Sequence, residues 1–511
     1  MFTANSWQKL PNWSYLMAYH TDHQFKVLVN RARLPQGVKR LHNWSEYDTV
    51  AEKLHKTQLP VEEVPRYVTL ARKFKKTSTL KDLDQGLLQK IPYWDTLYEH
   101  QKQAVVYGVH TYRGRVYLAD EMGVGKSFSA ITILNYLLMR KGGFCKALIV
   151  CPASLEKNWK NISKEKQVFE GDIHVFSYDK AKNLSKELKK QKYDLYLADE
   201  AHCLKNPKTK RYKKLAPVLK RIEFRILLSG TPTVNRSDEL YSPLSLMYPK
   251  LFKNFRKYTD RYYNTISRKC RLPAELSLIL PLFGFVRRLK TQVLKLPEKV
   301  VQVHPIRIKE ASKGMQEMMQ KMLLDENKNN PNYLKYLIGE AFHLLGEIKS
   351  KSKIFENTIQ SLLSDTAVKG PHKVVFCYHR SVIASVKRIC DSLGRTYDVI
   401  SGETPKKKRQ EIVDKYQRGE LQVAILSINA AAVGITLTKS HHCIMAEQTW
   451  VPGIQQQCHD RVHRIGQNHK VFIDNVVCLS SIDDFITRCG DGKKKIHKLL
   501  LQKAKEQIKK V

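Results

Sequence analysis

Two short segments of the chain carry residue types that bind and cleave nucleotides. Residues 118–127 read LADEMGVGKS, and residues 197–202 read LADEAH. In the first segment a glycine-rich turn leads to Lys126 and Ser127, and the backbone N–H groups of such a turn cradle phosphates. The lysine can reach the β- and γ-phosphates, and the serine hydroxyl can hold Mg²⁺. The segment therefore predicts an ATP phosphate loop, although Asp120 stands where such loops usually have glycine.

The second segment follows an apolar run, Tyr193 to Leu197, and ends in an acidic pair. A buried parallel strand delivers carboxylates to a site at its carboxyl end in this way. We expect Asp199 to complete the Mg²⁺ shell and Glu200 to orient or deprotonate the attacking water. The two segments together predict a nucleotide hydrolase, whereas either one alone is a weaker signal.

The composition indicates a polyanionic partner. The chain has 511 residues, enough for roughly two to four domains. It carries 89 Lys and Arg against 48 Asp and Glu, a net charge of +41. Such an excess repels itself unless it meets a polyanion, so nucleic acid is the expected partner. The alternative is a basic surface that only keeps the protein soluble.

Cysteine spacing and hydropathy indicate an intracellular protein with no membrane segment. None of the ten cysteines forms a C-x-x-C pair, which disfavours a zinc ribbon. The longest apolar stretch, Leu276 to Val286, is too short to span a bilayer and contains Pro281. We expect a DNA-associated protein in a nucleoid, a nucleus or the interior of an infected cell.

The order of apolar runs predicts an α/β fold with two parallel sheets. Strand-like runs alternate with helix-length segments in each half, which is typical of parallel sheets covered by helices. The expected strands of the first half are Val116–Ala119, Ala147–Cys151, Leu195–Ala198 and Arg225–Leu228. Those of the second half are Val374–Tyr378, Tyr397–Ile400, Val423–Ile428, Cys443–Ala446 and Val471–Val477.

Four regions are expected along the chain. An accessory module occupies residues 1–88, and a first lobe occupies 89–300 with a helical insertion at about 236–295. A second lobe with preceding helices occupies 301–490. Residues 491–511 form a basic terminal helix that either packs on the protein or contacts DNA.

A nucleotide loop in the first of two lobes implies an ATP site in the cleft between them. The second lobe should then supply arginines to the γ-phosphate. Arg461 and Arg464 are three residues apart, so they share a helix face and can both act as arginine fingers. Gln457 and Gln467 flank them. As a bare pattern, R-x-x-R is more often a surface pair.

With these pieces in order, residues from about 91 to 490 resemble the Swi/Snf-type ATPases of helicase superfamily 2. The resemblance implies two RecA-like lobes that use ATP and Mg²⁺. It implies nucleotide contacts by Gln101, Gly123, Gly125, Lys126, Ser127 and Asp199, and catalysis by Glu200, Gln457, Arg461 and Arg464. Residues that couple hydrolysis to DNA would be His202, Ser229, Gly230, Thr231 and Gly434. DNA contacts would come from Pro152, Ser154, Ser177, Tyr178, Ser427 and Trp450.

Finer features resemble the HARP-type annealing helicases. These are Arg287-Arg-Leu-Lys290, Glu447 where most of the wider family has aspartate, and Trp450-Val-Pro-Gly453. The resemblance implies a translocase on double-stranded or branched DNA that anneals strands, regresses forks or migrates branches. Replication or recombination proteins would be possible partners, and a monomer is expected without DNA.

Two other functions remain open from the sequence. One is an RNA-directed or transcription-coupled motor of the same superfamily. The other is a scaffold that binds nucleic acid without catalysis, which the intact ATP-site residues disfavour. Because phosphate contacts carry no sequence information, something outside the lobes must select branched DNA. We expect residues 1–88 to do so, unless they only stabilise the first lobe.

Overall fold

The computed structural model describes most of the two lobes. The described residues are 16–21, 24–29, 79–232, 236–265, 267, 269–314, 317, 331–429, 435–449, 452–484 and 486–487. Near the start, β1 (Leu16–Thr21) pairs antiparallel with β2 (Gln24–Val29). Residues 491–511 lie outside the described part, so the basic terminal helix stays a prediction.

A six-stranded parallel sheet forms the first lobe. Its order is β5-β4-β6-β7-β3-β8. The strands are β3 (Arg115–Leu118), β4 (Cys145–Cys151), β5 (Gly171–Ser177), β6 (Leu195–Ala198), β7 (Phe224–Leu228) and β8 (Phe285–Val286). Because all the strands are parallel, their carboxyl ends meet at one edge, where α/β sheets bind ligands.

Helices cover both faces of this sheet. They are α1 (Gln85–Gln89), α2 (Glu99–Val106), α3 (Lys126–Lys141), α4 (Glu156–Lys166), α5 (Tyr178–Asn183), α6 (Ser185–Lys190), α7 (Lys210–Leu219), α8 (Tyr241–Met247), α9 (Phe255–Tyr262), α10 (Pro273–Leu282) and α11 (Lys290–Val293). Alternate strand residues enter two hydrophobic cores, with Val116 and Leu118 in one and Tyr117 and Ala119 in the other. Burial on both faces explains why the strands read as continuous apolar runs.

The second lobe repeats this architecture. Its parallel sheet has the order β11-β12-β10-β13-β14-β9. The strands are β9 (Lys299–Ile306), β10 (Lys373–Cys377), β11 (Tyr397–Ile400), β12 (Val423–Ser427), β13 (His442–Met445) and β14 (Val471–Cys478). The helices are α12 (Pro331–Lys351), α13 (Lys353–Ser364), α14 (Arg380–Ser392), α15 (Lys406–Arg418) and α16 (Pro452–His459).

The fold class is therefore confirmed as α/β with two RecA-like parallel-sheet lobes and helical insertions. Two details differ from the expected boundaries. Leu83 and Leu88, placed in the accessory module from sequence, are buried in a core of the first lobe. Lys299 and Val300, placed at the end of the first lobe, belong to β9 of the second sheet. Within the described residues, no helix is long and apolar enough to cross a membrane.

Candidate active site

The phosphate loop joins β3 to α3 at the carboxyl edge of the first sheet. Gly123 and Gly125 have φ angles of +80° and +81°, in the left-handed region that favours glycine. A Cβ on Gly125 would also lie 2.3 Å from Nε2 of Gln101. Helix α3 begins at the next residue, Lys126, so its free N–H groups and dipole face the loop, an arrangement that binds anions.

Lys126 folds into this loop. Its Nζ donates hydrogen bonds to the backbone oxygens of Asp120 at 2.9 Å and Glu121 at 3.0 Å. Burial lowers the pKa of Lys126, and the nearby carboxylates of Glu200 and Asp120 partly oppose this effect. Its ammonium group thus lies at the N-terminus of α3, where the sequence predicts a phosphate-binding lysine.

Gln101 supports the phosphate loop through a hydrogen bond to the backbone of Gly125. Its Nε2 donates to the Gly125 oxygen at 3.1 Å, and its Oε1 accepts from the Tyr98 N–H at 2.9 Å. The ring of Tyr98 stacks on His100 and is 49% exposed. The described contacts of Gln101 support the loop, and its contact with nucleotide stays a prediction.

The acidic pair follows β6 directly. Asp199 is buried, and its two carboxylate oxygens accept hydrogen bonds at 2.8 Å from the Trp159 indole and from the Glu200 backbone N–H. Burial and the neighbouring charge of Glu200 raise the pKa of Asp199 to about 6. Sequence reasoning did not single out Trp159, whose role depends on the packing of α4 against the sheet.

Glu200 has a left-handed backbone, with φ +48°. Only a minority of non-glycine residues adopt this conformation, and they cluster at functional sites. His202 Nδ1 lies 3.1 Å from Glu200 Oε2 and 3.1 Å from Ser229 Oγ. Burial raises the pKa of Glu200, but His202, Lys126 and Arg461 outweigh burial and lower the pKa overall. These neighbouring cations thus favour the ionised form of the carboxylate.

The segment after β7 is linked to the acidic pair through Ser229, which contacts His202. The Ser229 Oγ also accepts from the Thr231 N–H at 3.2 Å. Between them, the Gly230 oxygen accepts from Arg287 at 2.7 Å, and a Cβ on this glycine would lie 2.1 Å from Met122. The segment predicted to couple hydrolysis to DNA therefore contacts His202, the neighbour of Glu200, and also packs against the phosphate loop.

The structure explains why this loop has aspartate in place of the usual glycine. The Asp120 carboxylate accepts from the Arg288 backbone N–H at 2.8 Å and from its guanidinium, with Nη2 2.5 Å from Oδ2. Both side chains are buried. The adjacent Arg287 bonds the Ala119 oxygen. From the sequence these arginines were recognised only as a subgroup signature. The acidic residue inside a phosphate loop was the signal for a nearby cation.

The second lobe brings its arginines to the cleft. Arg461 is 4% exposed, and Arg464 lies beside it. Each Nη1 lies near the Ile435 oxygen, at 3.3 and 3.4 Å. Burial and the charge of Arg464 lower the pKa of Arg461 to about 10, against the opposing effect of Asp460.

Arg464 stands against the phosphate loop. A Cβ on Gly123 would lie 3.1 Å from Cβ of Arg464, and a Cβ on Gly453 would lie 3.0 Å from Thr231. The two lobes therefore touch at the ATP-site motifs. Arg461 Nε and Nη2 and Gln457 Oε1 are buried and have no hydrogen-bond partner in the described part of the chain.

The expected DNA contacts are not equally accessible. Pro152 and Ser154 follow β4 and are partly exposed. Ser177 is 7% exposed and caps α5 by accepting from the Lys180 N–H. Tyr178 is 2% exposed, and its hydroxyl donates to the Asp199 backbone oxygen at 2.7 Å. A buried ring cannot reach a DNA strand, so Tyr178 positions the acidic pair instead.

In the second lobe, Ser427 ends β12 and is 8% exposed, while Gly434 and Trp450 lie outside the described residues. Glu447 has a definite structural role. Its carboxylate accepts from the Tyr378 N–H at 2.6 Å and the His379 N–H at 2.8 Å. It thereby fixes the turn between β10 and α14, which begins at Arg380.

Comparisons with known proteins show which family the chain is similar to. Residues 100–165 and 160–348 match the SNF2-related domain, and residues 354–466 match the helicase conserved C-terminal domain. A relative from Caenorhabditis elegans, the SWI/SNF-related matrix-associated actin-dependent regulator of chromatin subfamily A-like protein 1 homolog, is 32% identical over 84% of this chain and 65% of its own length. The Xenopus laevis protein of that name is 30% identical over 92% of this chain and 52% of its own length.

The DNA annealing helicase and endonuclease ZRANB3 of Mus musculus is 29% identical over 80% of this chain and 41% of its own length. A solved structure, the Sulfolobus solfataricus SWI2/SNF2 ATPase core in complex with dsDNA, aligns with 77% of this chain and 90% of that chain at 20% identity and a TM-score of 0.38. The chain thus spans between two fifths and two thirds of the curated relatives named here. On the motifs and the two matched domains, the chain belongs to the Swi/Snf-type ATPases of helicase superfamily 2.

Proposed function

We propose that the protein is a DNA-dependent ATPase that translocates on double-stranded DNA and remodels branched DNA by annealing, fork regression or branch migration. The proposal rests on the position of Arg461, which lies in the cleft near Glu200 and lowers the pKa of that carboxyl. Buried guanidinium N–H groups without partners in the described chain stand beside an ionised carboxylate and a glycine loop. This arrangement fits phosphoryl transfer between two lobes.

The residues present fit ATP with Mg²⁺. Buried polar atoms rarely lack partners. The Arg461 N–H groups and the Gln457 oxygen that have no partner among the described residues therefore favour a polar ligand in the cleft. The left-handed glycines of the loop give that ligand room beside the backbone. Asp199 and Ser127 would hold Mg²⁺, which neutralises phosphate charge when bound.

The chain's own groups would then divide the work. Lys126 would bind the β- and γ-phosphates, and Glu200 would accept a proton from the attacking water. Its carboxylate is suited to this because neighbouring cations keep it ionised. Arg461 and Arg464 would stabilise the charge that develops on the transferred phosphoryl group. His202 and Ser229 would couple the loss of the transferred phosphoryl group to movement of the segment that includes Thr231.

The DNA track would run along the carboxyl edges of both sheets. Ser154 follows β4 and is partly exposed, so it is the serine of the first lobe that we expect to contact a strand's phosphates. Ser177 and Ser427 end β5 and β12 and are buried, so their contacts with DNA stay predictions from the sequence. The net charge of +41 supports a polyanionic track of this kind. Closing and opening of the cleft would move the lobes stepwise along that strand.

The names of relatives support annealing over strand separation, because one group of them is called DNA annealing helicases. On this proposal the protein works on intracellular DNA, in a nucleus, a nucleoid or an infected cell, with replication or recombination proteins as partners. The alternative function is an RNA-directed motor of the same superfamily. It is tested by comparing RNA with duplex DNA as the stimulator of ATP turnover.

The proposal is tested by remodelling of a labelled DNA fork. We expect the wild-type protein to convert a fork with complementary arms into annealed duplex products in the presence of ATP. Glu200→Gln is the matched control, since it keeps the DNA track and loses hydrolysis. Equal conversion by both proteins would mean that ATP turnover does not drive the reaction, which contradicts the proposal.

We also propose that the region before the first lobe helps to select branched DNA. A chain that starts at Thr79 tests this, because it keeps Leu83 and Leu88 in the core of the first lobe. We expect ATPase on linear duplex to survive and fork conversion to collapse. Equal loss of both activities would favour an extension that only stabilises the first lobe. If neither activity were lost, both the selection of branched DNA and the stabilising role would be contradicted.

A further inference from the structure

One lysine of the first lobe reaches into the second lobe beside the arginines. Lys290 begins α11 and is 4% exposed. Its Nζ lies 2.7 Å from Oδ1 of Asp460 and donates to the His463 oxygen at 2.6 Å. Its backbone N–H donates to the Glu121 carboxylate in the phosphate loop at 2.8 Å. One residue therefore joins the phosphate loop to the far lobe.

The two contacts in the far lobe each lie one residue before an arginine. Asp460 immediately precedes Arg461, and His463 immediately precedes Arg464. The Asp460 carboxylate also accepts from Gln456 at 2.7 Å, so its orientation is fixed from within its own lobe. A bond to each of these positions fixes the backbone that carries both arginines.

The segment that carries Lys290 is itself rigidly attached to the first lobe. Arg287 bonds Ala119 and Gly230, and Arg288 bonds Asp120. With the Lys290 bond to Glu121, three consecutive residues of the phosphate loop are held from one short segment. The lysine is therefore a fixed reference point against which the far lobe docks.

We propose that Lys290 is a positioning residue for ATP hydrolysis. It sets Arg461 and Arg464 against the phosphate loop, although its contacts are with protein groups on both sides of the cleft. This inference rests on the proposed ATPase function. Because the nucleotide-binding residues of the first lobe do not depend on the contact with Asp460, its loss should slow the hydrolytic step and spare ATP binding.

The test compares Lys290→Met with Lys295→Met, a matched substitution of an exposed lysine five residues further along. ATP turnover is measured with saturating linear duplex DNA. We expect Lys290→Met to lower kcat by about tenfold or more with KM for ATP within about threefold, the pattern of a contact made in the transition state. Lys290→Arg should recover part of kcat, because it keeps the cation.

Binding of ADP alone and of ADP with aluminium fluoride separates positioning from folding. Lys290→Met should bind ADP like the wild type and lose affinity for the aluminium fluoride complex, which mimics the transferred phosphoryl group. Asp460→Asn should act in the same way, and the double variant should be little worse than either single variant. If Lys290→Met fails to fold, Asp460→Asn and Lys290→Arg carry the test.

Three results would overturn the inference. They are a kcat equal to that of Lys295→Met, parallel losses in ADP and aluminium fluoride binding, and fully additive losses in the double variant. Failure of the proposed function itself would look different. In that case the wild-type protein would show no DNA-stimulated phosphate release.

Discussion

The indole of Trp159 donates a hydrogen bond to the carboxylate of Asp199, with 2.8 Å between Nε1 and Oδ2. Trp159 has no exposed surface and lies in α4, whereas Asp199 directly follows β6. The other carboxylate oxygen is held by the Glu200 N–H. The expected Mg²⁺ ligand is thus oriented by a residue outside the motifs that bind nucleotide.

Trp159→Phe should raise the Mg²⁺ requirement of ATP turnover. Loss of a partner behind a metal ligand typically costs 10–100-fold in affinity or activity, so we expect a shift of about that size in half-maximal Mg²⁺. The measurement is a Mg²⁺ titration of DNA-stimulated ATPase. Trp94→Phe, in the same lobe, is the control. Identical titrations for the two variants would show that the indole does not orient Asp199.

Glu200→Gln and Lys126→Ala should fail at different steps. The first variant keeps the Asp199 metal contact and removes the base, so ATP should still bind while turnover disappears. The second removes the phosphate cation, so nucleotide affinity itself should fall. Equilibrium binding of a fluorescent ATP analogue and phosphate release distinguish the two. Turnover near the wild-type rate in Glu200→Gln would refute its assignment as the base.

Arg461→Ala and Arg464→Ala should lower kcat by about 10³–10⁵, the range for arginine fingers in other phosphoryl-transfer enzymes. Duplex DNA affinity should change little, because both side chains lie in the cleft against the phosphate loop. Single-turnover ATPase and a DNA-binding titration test the two parts. Normal turnover in both variants would mean that these arginines only stabilise the second lobe.

Stability should fall in mild acid because of a buried network in the second lobe. His442 Nε2 lies 2.6 Å from Asp474, and Lys373 Nζ lies 2.8 Å from His442 Nδ1. Burial, aided by the charge of Lys373 and opposed by Asp474, lowers the pKa of His442 from 6.5 to about 4. Between these pH values the unfolded chain binds more protons than the folded chain, so stability is lost as the pH falls through that window.

The loss attributable to this histidine is about 3 kcal/mol at its limit. His442→Gln should therefore lower by about one the number of protons taken up on unfolding. This number is obtained from the pH dependence of the free energy of unfolding in denaturant between pH 6.5 and pH 4.5. His343→Gln is the control, because that side chain is exposed. An unchanged slope in His442→Gln would show that this histidine is not buried in its neutral form.

The sequence predicted the central strands well because burial on both faces leaves an unmistakable apolar run, as in β6 and β10. In the sheets of the two lobes it missed three strands for physical reasons. Strand β8 has only two residues, β5 begins Gly-Asp and mixes polar with apolar residues, and β9 is a partly exposed edge strand that contains Pro305. Edge strands tolerate such residues because one side of their backbone is unpaired.

In the candidate site, the motifs brought the expected residues together, since their order along the chain fixes which strand ends they follow. The partners that hold those motifs came from elsewhere. Arg288 meets Asp120 across 168 positions of sequence, and Tyr178 turns inward to Asp199. Spacing within a motif cannot reveal such contacts, because they depend on how the insertion and the helices pack.

The most direct test of the account is the ATPase rate of the intact protein on matched nucleic acids: linear duplex DNA, a fork, a four-way junction, single-stranded DNA and duplex RNA. We expect duplex and branched DNA to stimulate phosphate release strongly and RNA to have little effect, with no stimulation in Lys126→Ala. Stimulation by RNA equal to that by duplex DNA, or the absence of stimulation by any of them, would contradict a DNA translocase.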